Sequence, residues 1–241
     1  VTVAIKHSTP CGVAIGKTGY ESYKRAYEGD PTSIFGGIIA VNYKIDKETA
    51  LEMKKTFLEI IAAPDFDDDA LEVLEKNLRL LKLKNLDARD AKYDIKYLEG
   101  KALVQELNTK LINEMKVVTK KQPTEAELSD MEFGLKVVKY VKSNAIVLVK
   151  DGCTLAVGGG QTSRIWALEN AIHNNPDKDF HGAVLASDAF FPFSDCAQVA
   201  DEAGIKAIVQ PGGSIRDQES IDYCDEHDMT MVFNGYRHFR H

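Results

Sequence analysis

The decapeptide IKHSTPCGVA, Ile5 to Ala14, sets a lysine and a histidine side by side at the end of an apolar run made by Val3, Ala4 and Ile5. Histidine titrates near neutrality and suits a general base, and a lysine beside it would disfavour its charged form and keep it able to accept a proton. In a regular strand, neighbours point to opposite faces, so Lys6 and His7 can serve one site only where the strand ends. Pro10 and Gly12 are expected to make that ending. The plainer alternative is a solvated strand end followed by a hydrogen-bonded turn histidine.

Four further stretches carry chemistry-bearing residues. GGGQTSR, Gly158 to Arg164, joins a strand to a helix; its glycines allow close approach to a ligand and Arg164 can pair with an anion. It matches neither the G-x-G-x-x-G fingerprint nor the G-x-x-x-x-G-K-[ST] loop, and its other reading is a tight turn with a surface arginine. ASDAFFPFSD, Ala186 to Asp195, sets three phenylalanines around a proline between two aspartates, either a satellite core or the wall of a pocket for a flat ligand. QPGGS, Gln210 to Ser214, is a glycine turn entering a helix. The closing GYRHFRH interleaves aromatic and basic residues, a composition suited to stacking on an anionic heterocycle. The histidines have no H-x-E or P-C-x-x-C partner, which argues against a zinc site.

The elements that must position these residues follow from composition and periodicity. The chain has 241 residues, 44% hydrophobic and 28% charged, enough for one large core or two smaller ones. The net charge is −7 and no basic stripe stands out, so nucleic acid is not an expected partner. Four cysteines without a C-x-x-C pair read as reduced thiols. No run of 18 apolar residues or signal peptide is present, so neither a membrane span nor secretion is expected. Val1 already lies inside an apolar run, and upstream sequence is therefore expected.

Apolar runs predict strands over 1–5, 36–41, 59–62, 79–83, 182–186, 206–209 and 229–233. Amphipathic stretches predict helices over 19–29, 46–56, 67–77, 163–174, 195–203 and 214–228, with Leu71 and Leu74 facing inward in the third. Residues 84–108 are weakly periodic and read as irregular or a hairpin. After a short strand near 116, Thr124-x-x-Glu127 is a capping box opening a helix whose Leu128, Met131, Leu135 and Val138 share a face. Asp151-Gly152 predicts a hairpin within 145–160, and Ser214-x-x-Asp217 reads as a second capping box. Two alternating series, 1–107 and 108–241, argue for layered α/β architecture.

Taken in order, IKHSTPCGVA, SIFGGIIA, VKSNAIVL, GGGQTSR, ASDAFFPFSD, QPGGSIRD and RHFRH resemble one family over Lys6 to His241: the transformylase part of the bifunctional purine-biosynthesis proteins. The resemblance implies an α/β fold, a duplicated cytidine-deaminase-like layered fold without the deaminase zinc. Its subdomains would be 1–107, N-terminally incomplete, and 108–241. It implies a formyltransferase moving a formyl group from 10-formyltetrahydrofolate to the 5-amino group of 5-aminoimidazole-4-carboxamide ribonucleotide (AICAR).

Residue by residue, Lys6 and His7 match the family's catalytic pair, and Asn144 a side chain at the reacting groups. Phe35, Gly36, Glu59, Arg164, Phe190, Arg237, Phe239 and His241 match the nucleotide side. Pro192, Phe193 and Asp195 fall on the folate side, and Ser143 and Asp188 resemble contributors to a structural potassium site. A cytoplasmic homodimer with sites at the subunit interface is also implied. Departures are the missing upstream cyclohydrolase domain and R-Y-G-x-N-P-H-Q segment, Ser8 and Thr9 where an asparagine is common, and Ser194 where an arginine is. Two competing readings are a ligand-binding remnant or regulator without turnover, and a zinc hydrolase of the same fold.

Overall fold

The computed structural model describes residues 1–74, 78–85 and 91–241. The first series runs β1 (Thr2–Lys6), β2 (Thr9–Ala14), α1 (Gly19–Gly29), β3 (Gly37–Val41), α2 (Lys47–Met53), β4 (Leu58–Ala63), α3 (Asp68–Val73) and β5 (Arg79–Lys82). A hairpin of β6 (Tyr93–Leu98) and β7 (Lys101–Glu106) and a short β8 (Lys116–Val117) come next. The second series is α4 (Glu125–Val138), β9 (Ile146–Lys150), β10 (Cys153–Gly158), α5 (Arg164–His173), β11 (Val184–Ser187), α6 (Asp195–Glu202), β12 (Ala207–Gln210), α7 (Asp217–Glu226) and β13 (Thr230–Phe233). No helix is long and apolar enough to cross a membrane among the described residues.

Eleven strands form one mixed sheet in the order β5-β4-β3-β1-β2-β10-β9-β11-β12-β13-β8. Its two halves have the same construction. Each has an antiparallel hairpin, β1–β2 or β9–β10. In each, the first strand pairs antiparallel with a third, and two more strands follow in parallel. The halves meet where β2 runs antiparallel to β10. Helix placement repeats as well: α1, α2 and α3 follow β2, β3 and β4 as α5, α6 and α7 follow β10, β11 and β12. The crossing of the first helix over the hairpin strand is tight in both. A Cβ on Gly12 of β2 would stand 2.2 Å from the Ala26 carbonyl oxygen of α1, and one on Gly158 of β10 would stand 1.9 Å from the Ala167 carbonyl oxygen of α5. Only glycine permits either approach. This is the duplicated layered α/β fold the sequence implies.

Alternation along β9 explains the layers. Ile146 and Leu148 join a core beneath α5, α6 and α7, while Val147 and Val149 join a second core beneath α4, with Met131, Leu135 and Val138. Ile39, Ile61, Tyr23 and Met53 form the core of the first half.

Four local expectations change. The first hairpin turns at His7–Ser8, both with positive φ (50° and 62°), and Pro10 and Gly12 lie within β2. Lys6 pairs with Thr9 across this two-residue turn, which has the left-handed backbone that hairpin twist demands. Leu71 points to solvent because α3 is short and its inner face is taken by the i,i+4 pair Ala70 and Leu74. Leu128 sits at the margin of the α4 face, with Met131, Leu135 and Val138 buried. Ser214 and Asp217 form no capping box. The Gly213 N–H donates to Asp217 Oδ2 at 2.6 Å and the Arg216 N–H to Ser214 Oγ at 3.1 Å, a turn that precedes the helix.

The Thr124–Glu127 box forms with both of its hydrogen bonds, and Asp151-Gly152 makes the expected hairpin with φ of 53° and 66°. Residues 93–106 take the hairpin alternative. The end of the third expected helix, 75–77, and residues 86–90 lie outside the described residues.

Candidate active site

Strand directions gather the singled-out residues along one end of the sheet. There β1 and β10 end, β2, β3, β4 and β9 begin, and β11, β12 and β13 end. Lys6 and His7 therefore stand on the same rim as Phe35, Gly36 and Glu59 from the first half. Ser143, Asn144, the Gly158–Arg164 turn, Asp188 and the tail from Arg237 to His241 join them from the second.

The first wall is built on the β1–β2 turn. His7 is exposed at its apex, and Lys6 leans toward the start of β3, donating from Nζ to the Phe35 carbonyl oxygen. The Gly36 N–H donates to the Phe57 carbonyl oxygen at 2.8 Å, and the Phe35 and Phe57 rings pack at 5.4 Å. Strand end and turn thus let neighbours serve one rim. Glu59 lies further along the rim, exposed and paired with Arg79 at 2.8 Å. A cavity of about 400 Å³ beside this turn is lined by Lys6, His7, Asp30, Lys142, Gly159 and Gly160 among others, and not by Asn144, Arg164, Phe190 or Arg237.

The second wall is organised by Asp188, fully buried at the end of β11. Arg164, the first residue of α5, pairs with its Oδ1 at 2.7 Å and donates to Asn144 Oδ1 at 3.0 Å and to the Phe190 carbonyl oxygen at 3.1 Å. Arg164 is thus a buried organising cation and not a surface arginine. With its Oδ1 taken, Asn144 keeps its amide N–H groups for the rim. The Ser143–Asn144 peptide bond is cis. Arg237 is exposed and stacks over Phe190, with 4.9 Å from guanidinium carbon to ring centroid. Phe239 and His241 pack at 5.5 Å at the chain end. Pro192, Phe193 and Asp195 continue this wall toward α7, where Arg216 stacks over Phe193 at 4.9 Å. Asp195 opens α6 and accepts from the Cys196 N–H at 2.8 Å.

Ser143 Oγ donates to Asp188 Oδ2 at 2.6 Å and accepts from the Arg240 N–H at 3.0 Å. These are hard oxygen atoms, the kind an alkali cation takes. Arg164 already answers the charge of Asp188, so no chemical step is routed through a cation. Among the described residues, no group of three or more His, Cys, Asp and Glu side chains is placed to hold a metal ion.

Two residues that type and spacing did not single out hold this wall. His238 is fully buried, with Nε2 at 2.9 Å from the Leu111 carbonyl oxygen and Nδ1 at 3.0 Å from Asn108 Nδ2. The carbonyl requires a proton on Nε2, so Nδ1 accepts from Asn108 and the ring is neutral. Burial pushes its pKa down to about 4. The His238 N–H donates to the Asp188 carbonyl oxygen at 2.8 Å, tying the tail to the network. Gln210, also buried, accepts at Oε1 from the Phe191 and Gly212 N–H groups at 3.2 Å. Both stood inside noticed motifs, but apart from Gly212 these partners are far off in sequence and no local pattern marks them.

Comparison with known proteins shows the family. The profile of the AICARFT/IMPCHase bienzyme family matches residues 1–174. A bifunctional purine biosynthesis protein PurH of Clostridioides difficile (strain 630) is 58% identical over 243 residues, covering 100% of this chain and 48% of its own length. Proteins of the same name from Clostridium perfringens (strain SM101 / Type A) and Caldicellulosiruptor saccharolyticus are 61% and 59% identical, covering 99% of this chain and 47% of theirs. The chain spans about half the length of the curated relatives it matches. With most of its length matched by the family profile, the chain belongs to the AICARFT/IMPCHase bienzyme family.

Proposed function

We propose that this chain performs the formyl-transfer step of purine biosynthesis, moving a formyl group from 10-formyltetrahydrofolate to the 5-amino group of AICAR in the cytoplasm. The observation that carries the reading is the placement of Lys6 and His7 on a tight turn, across a cavity from the rim built by Lys142, Gly159 and Gly160. The amine of AICAR is a poor nucleophile because its lone pair is delocalised toward the carboxamide. As it attacks the formyl carbon, His7 accepts the amine proton, and the folate nitrogen leaves with a proton in return. Lys6, held over the Phe35 carbonyl, faces the negative charge that develops on the formyl oxygen. Asn144 offers its amide to the reacting groups.

Arg237 on Phe190 gives a cationic and aromatic surface for the nucleotide, with Phe35, Gly36, Glu59, Phe239 and His241 around it. Arg164 serves that side by fixing Asn144 and Phe190. Pro192, Phe193 and Asp195 take the folate, and Ser143 with Asp188 would hold a potassium ion that braces the wall. The working unit is a homodimer with sites at the subunit interface, each half of the sheet being one cytidine-deaminase-like subdomain.

Formyl transfer from 10-formyltetrahydrofolate to AICAR by the purified chain tests this reading, with His7→Ala as the comparison. Loss of about 10²–10⁴-fold in kcat, with AICAR binding retained, is the expected result, since positioned proton transfer contributes that much. Equal rates in the two proteins, or folate binding without turnover in the unsubstituted chain, would overturn it.

A further inference from the structure

The two halves of the sheet match residue by residue, but only the second is covered on both faces. β1 and β9 each turn back after two residues, Lys6 pairing with Thr9 and Lys150 with Cys153. That register makes Val3 the counterpart of Val147 and Ile5 that of Val149. The ladders carry the match outward. Ile38 and Ala40 of β3 answer Val184 and Ala186 of β11, and Leu81 of β5 answers Val232 of β13. The match also reaches the first residue. The Asn42 N–H donates to the Val1 carbonyl oxygen at 3.4 Å, as the Asp188 N–H does to that of Ala145 at 3.2 Å.

Burial breaks this symmetry. Val147, Val149, Val184, Ala186 and Val232 are fully buried in the core beneath α4. Their counterparts Val3, Ile5, Ile38 and Ala40 are only partly buried, and Leu81 is 48% exposed. The opposite face of the first half is complete, with Ala4, Ile39 and Ile61 packed beneath its helices. The difference lies in what comes before the hairpins: α4 leads into β9, whereas β1 is the first element of this chain. Over the open face runs an apolar groove of about 560 Å³, lined by Val3, Ile5 and Val13 of the sheet and by Phe133, Val137 and Tyr140 of α4.

An apolar sheet face is stable only when packed against another element, and α4 shows which element this surface takes. Its Met131, Leu135 and Val138 stand at i, i+4 and i+7 on the buried side. Its Gly134 crosses so near the sheet that a Cβ there would lie 2.7 Å from the Ala186 Cβ. Ala40 keeps a small residue at the matching place in the first half. We infer that the open face seats an amphipathic helix of the polypeptide joined to Val1 in the full-length protein, packed as α4 packs on the second half. Its apolar residues follow the same spacing, with a small residue over Ala40. The curated relatives are about twice as long as this chain, which leaves ample polypeptide for such a helix. Ser8 and Pro10 also line the groove, so the helix backs the turn that carries His7.

Two lengthened proteins, compared with the chain itself, test the seat. One carries the residues that precede Val1 in its own gene. The other carries a copy of residues 124–144 placed directly before Val1, the spacing at which α4 leads into β9. Both are expected to gain helical circular dichroism, to unfold at higher urea, and to bind 8-anilinonaphthalene-1-sulfonate about tenfold less than the chain, because the apolar patch is covered. Ile38→Lys is expected to lower the urea midpoint slightly in the chain and severalfold more in either lengthened protein. Lysine in place of the copied Met131, Leu135 and Val138 should abolish these gains, which separates packing from added length. A gene-encoded extension that gains no helix, or that leaves dye binding and the effect of Ile38→Lys as they are in the chain, would overturn the seat. Dye binding that fades in the chain alone as its concentration rises would give the face to a second copy and overturn it as well. Neither result bears on formyl transfer, which the seat does not presuppose.

Discussion

His238 shows how one buried side chain can hold a site it does not enter. Its ring is neutral, with Nε2–H donated to Leu111 and Nδ1 accepting from Asn108, and its backbone carries the tail to Asp188. In the unfolded chain this histidine takes a proton near its ordinary value of 6.5, but in the fold only near 4. Between those values the unfolded state binds more protons, so the stabilising contribution is complete above about pH 6.5 and is lost as pH falls toward 4. The sum is on the order of 3 kcal/mol. Urea midpoints at about pH 7 and pH 4.5 check this: His238→Gln should lose less stability on acidification than the unsubstituted chain. Parallel losses would show that other groups carry the acid sensitivity. Arg164 gives the complementary lesson, since its guanidinium is spent on Asp188, Asn144 and Phe190 and acts on a ligand through them.

At the scale of elements, the β1–β2 turn joins geometry to chemistry. Neither His7 nor Ser8 is a glycine, yet both hold positive φ, a conformation that costs an ordinary residue about 1 kcal/mol or more. Such strain persists where the surroundings fix it, and here it lifts His7 to the apex of the rim. Ser8→Gly is expected to raise stability by a fraction of a kcal/mol up to about 1, measured by thermal or urea unfolding, and to leave formyl transfer in place. A destabilised Ser8→Gly would mean that the Ser8 side chain contributes more than its backbone costs.

This turn also marks where the sequence stops being legible. Asp151-Gly152 carries its left-handed backbone in its residue types and was readable; His7-Ser8 does not, and Pro10 and Gly12 drew the turn three residues too far along. Helices and strands were readable because burial imposes a period of 3.6 or 2 on them. Leu71 was misplaced because periodicity cannot say where a short helix stops. The types of the site residues were legible, but their grouping on one rim depends on strand order. So does the tie between His238 and Asn108, 130 residues apart.

The whole molecule depends on the seam between its halves. There β2 and β10 meet through the single register pair Ala14–Cys153, and side chains complete what the ladder leaves open. Thr154, fully buried, accepts from the Val13 N–H at 2.9 Å and donates to the Val13 carbonyl oxygen at 3.4 Å. Lys178 donates from Nζ to the Gly29 and Leu155 carbonyl oxygens, bridging α1 to β10, and Arg25 of α1 reaches the Asp151 carbonyl oxygen. The cavity beside His7 opens across this seam, so its width depends on how the halves are joined. Thr154→Val keeps the shape and removes the hydroxyl, leaving a buried N–H unpaired at a cost of about 1–3 kcal/mol. Thr154→Ser should recover most of that loss. Val13 packs in the same core as Met131, Leu135 and Val147, so both halves share apolar contacts that the substitution leaves alone. Urea unfolding of Thr154→Val is therefore expected to shift to a lower midpoint as a single transition. Two separated transitions would instead show that the seam's hydrogen bonds, and not the shared core, make the halves unfold together.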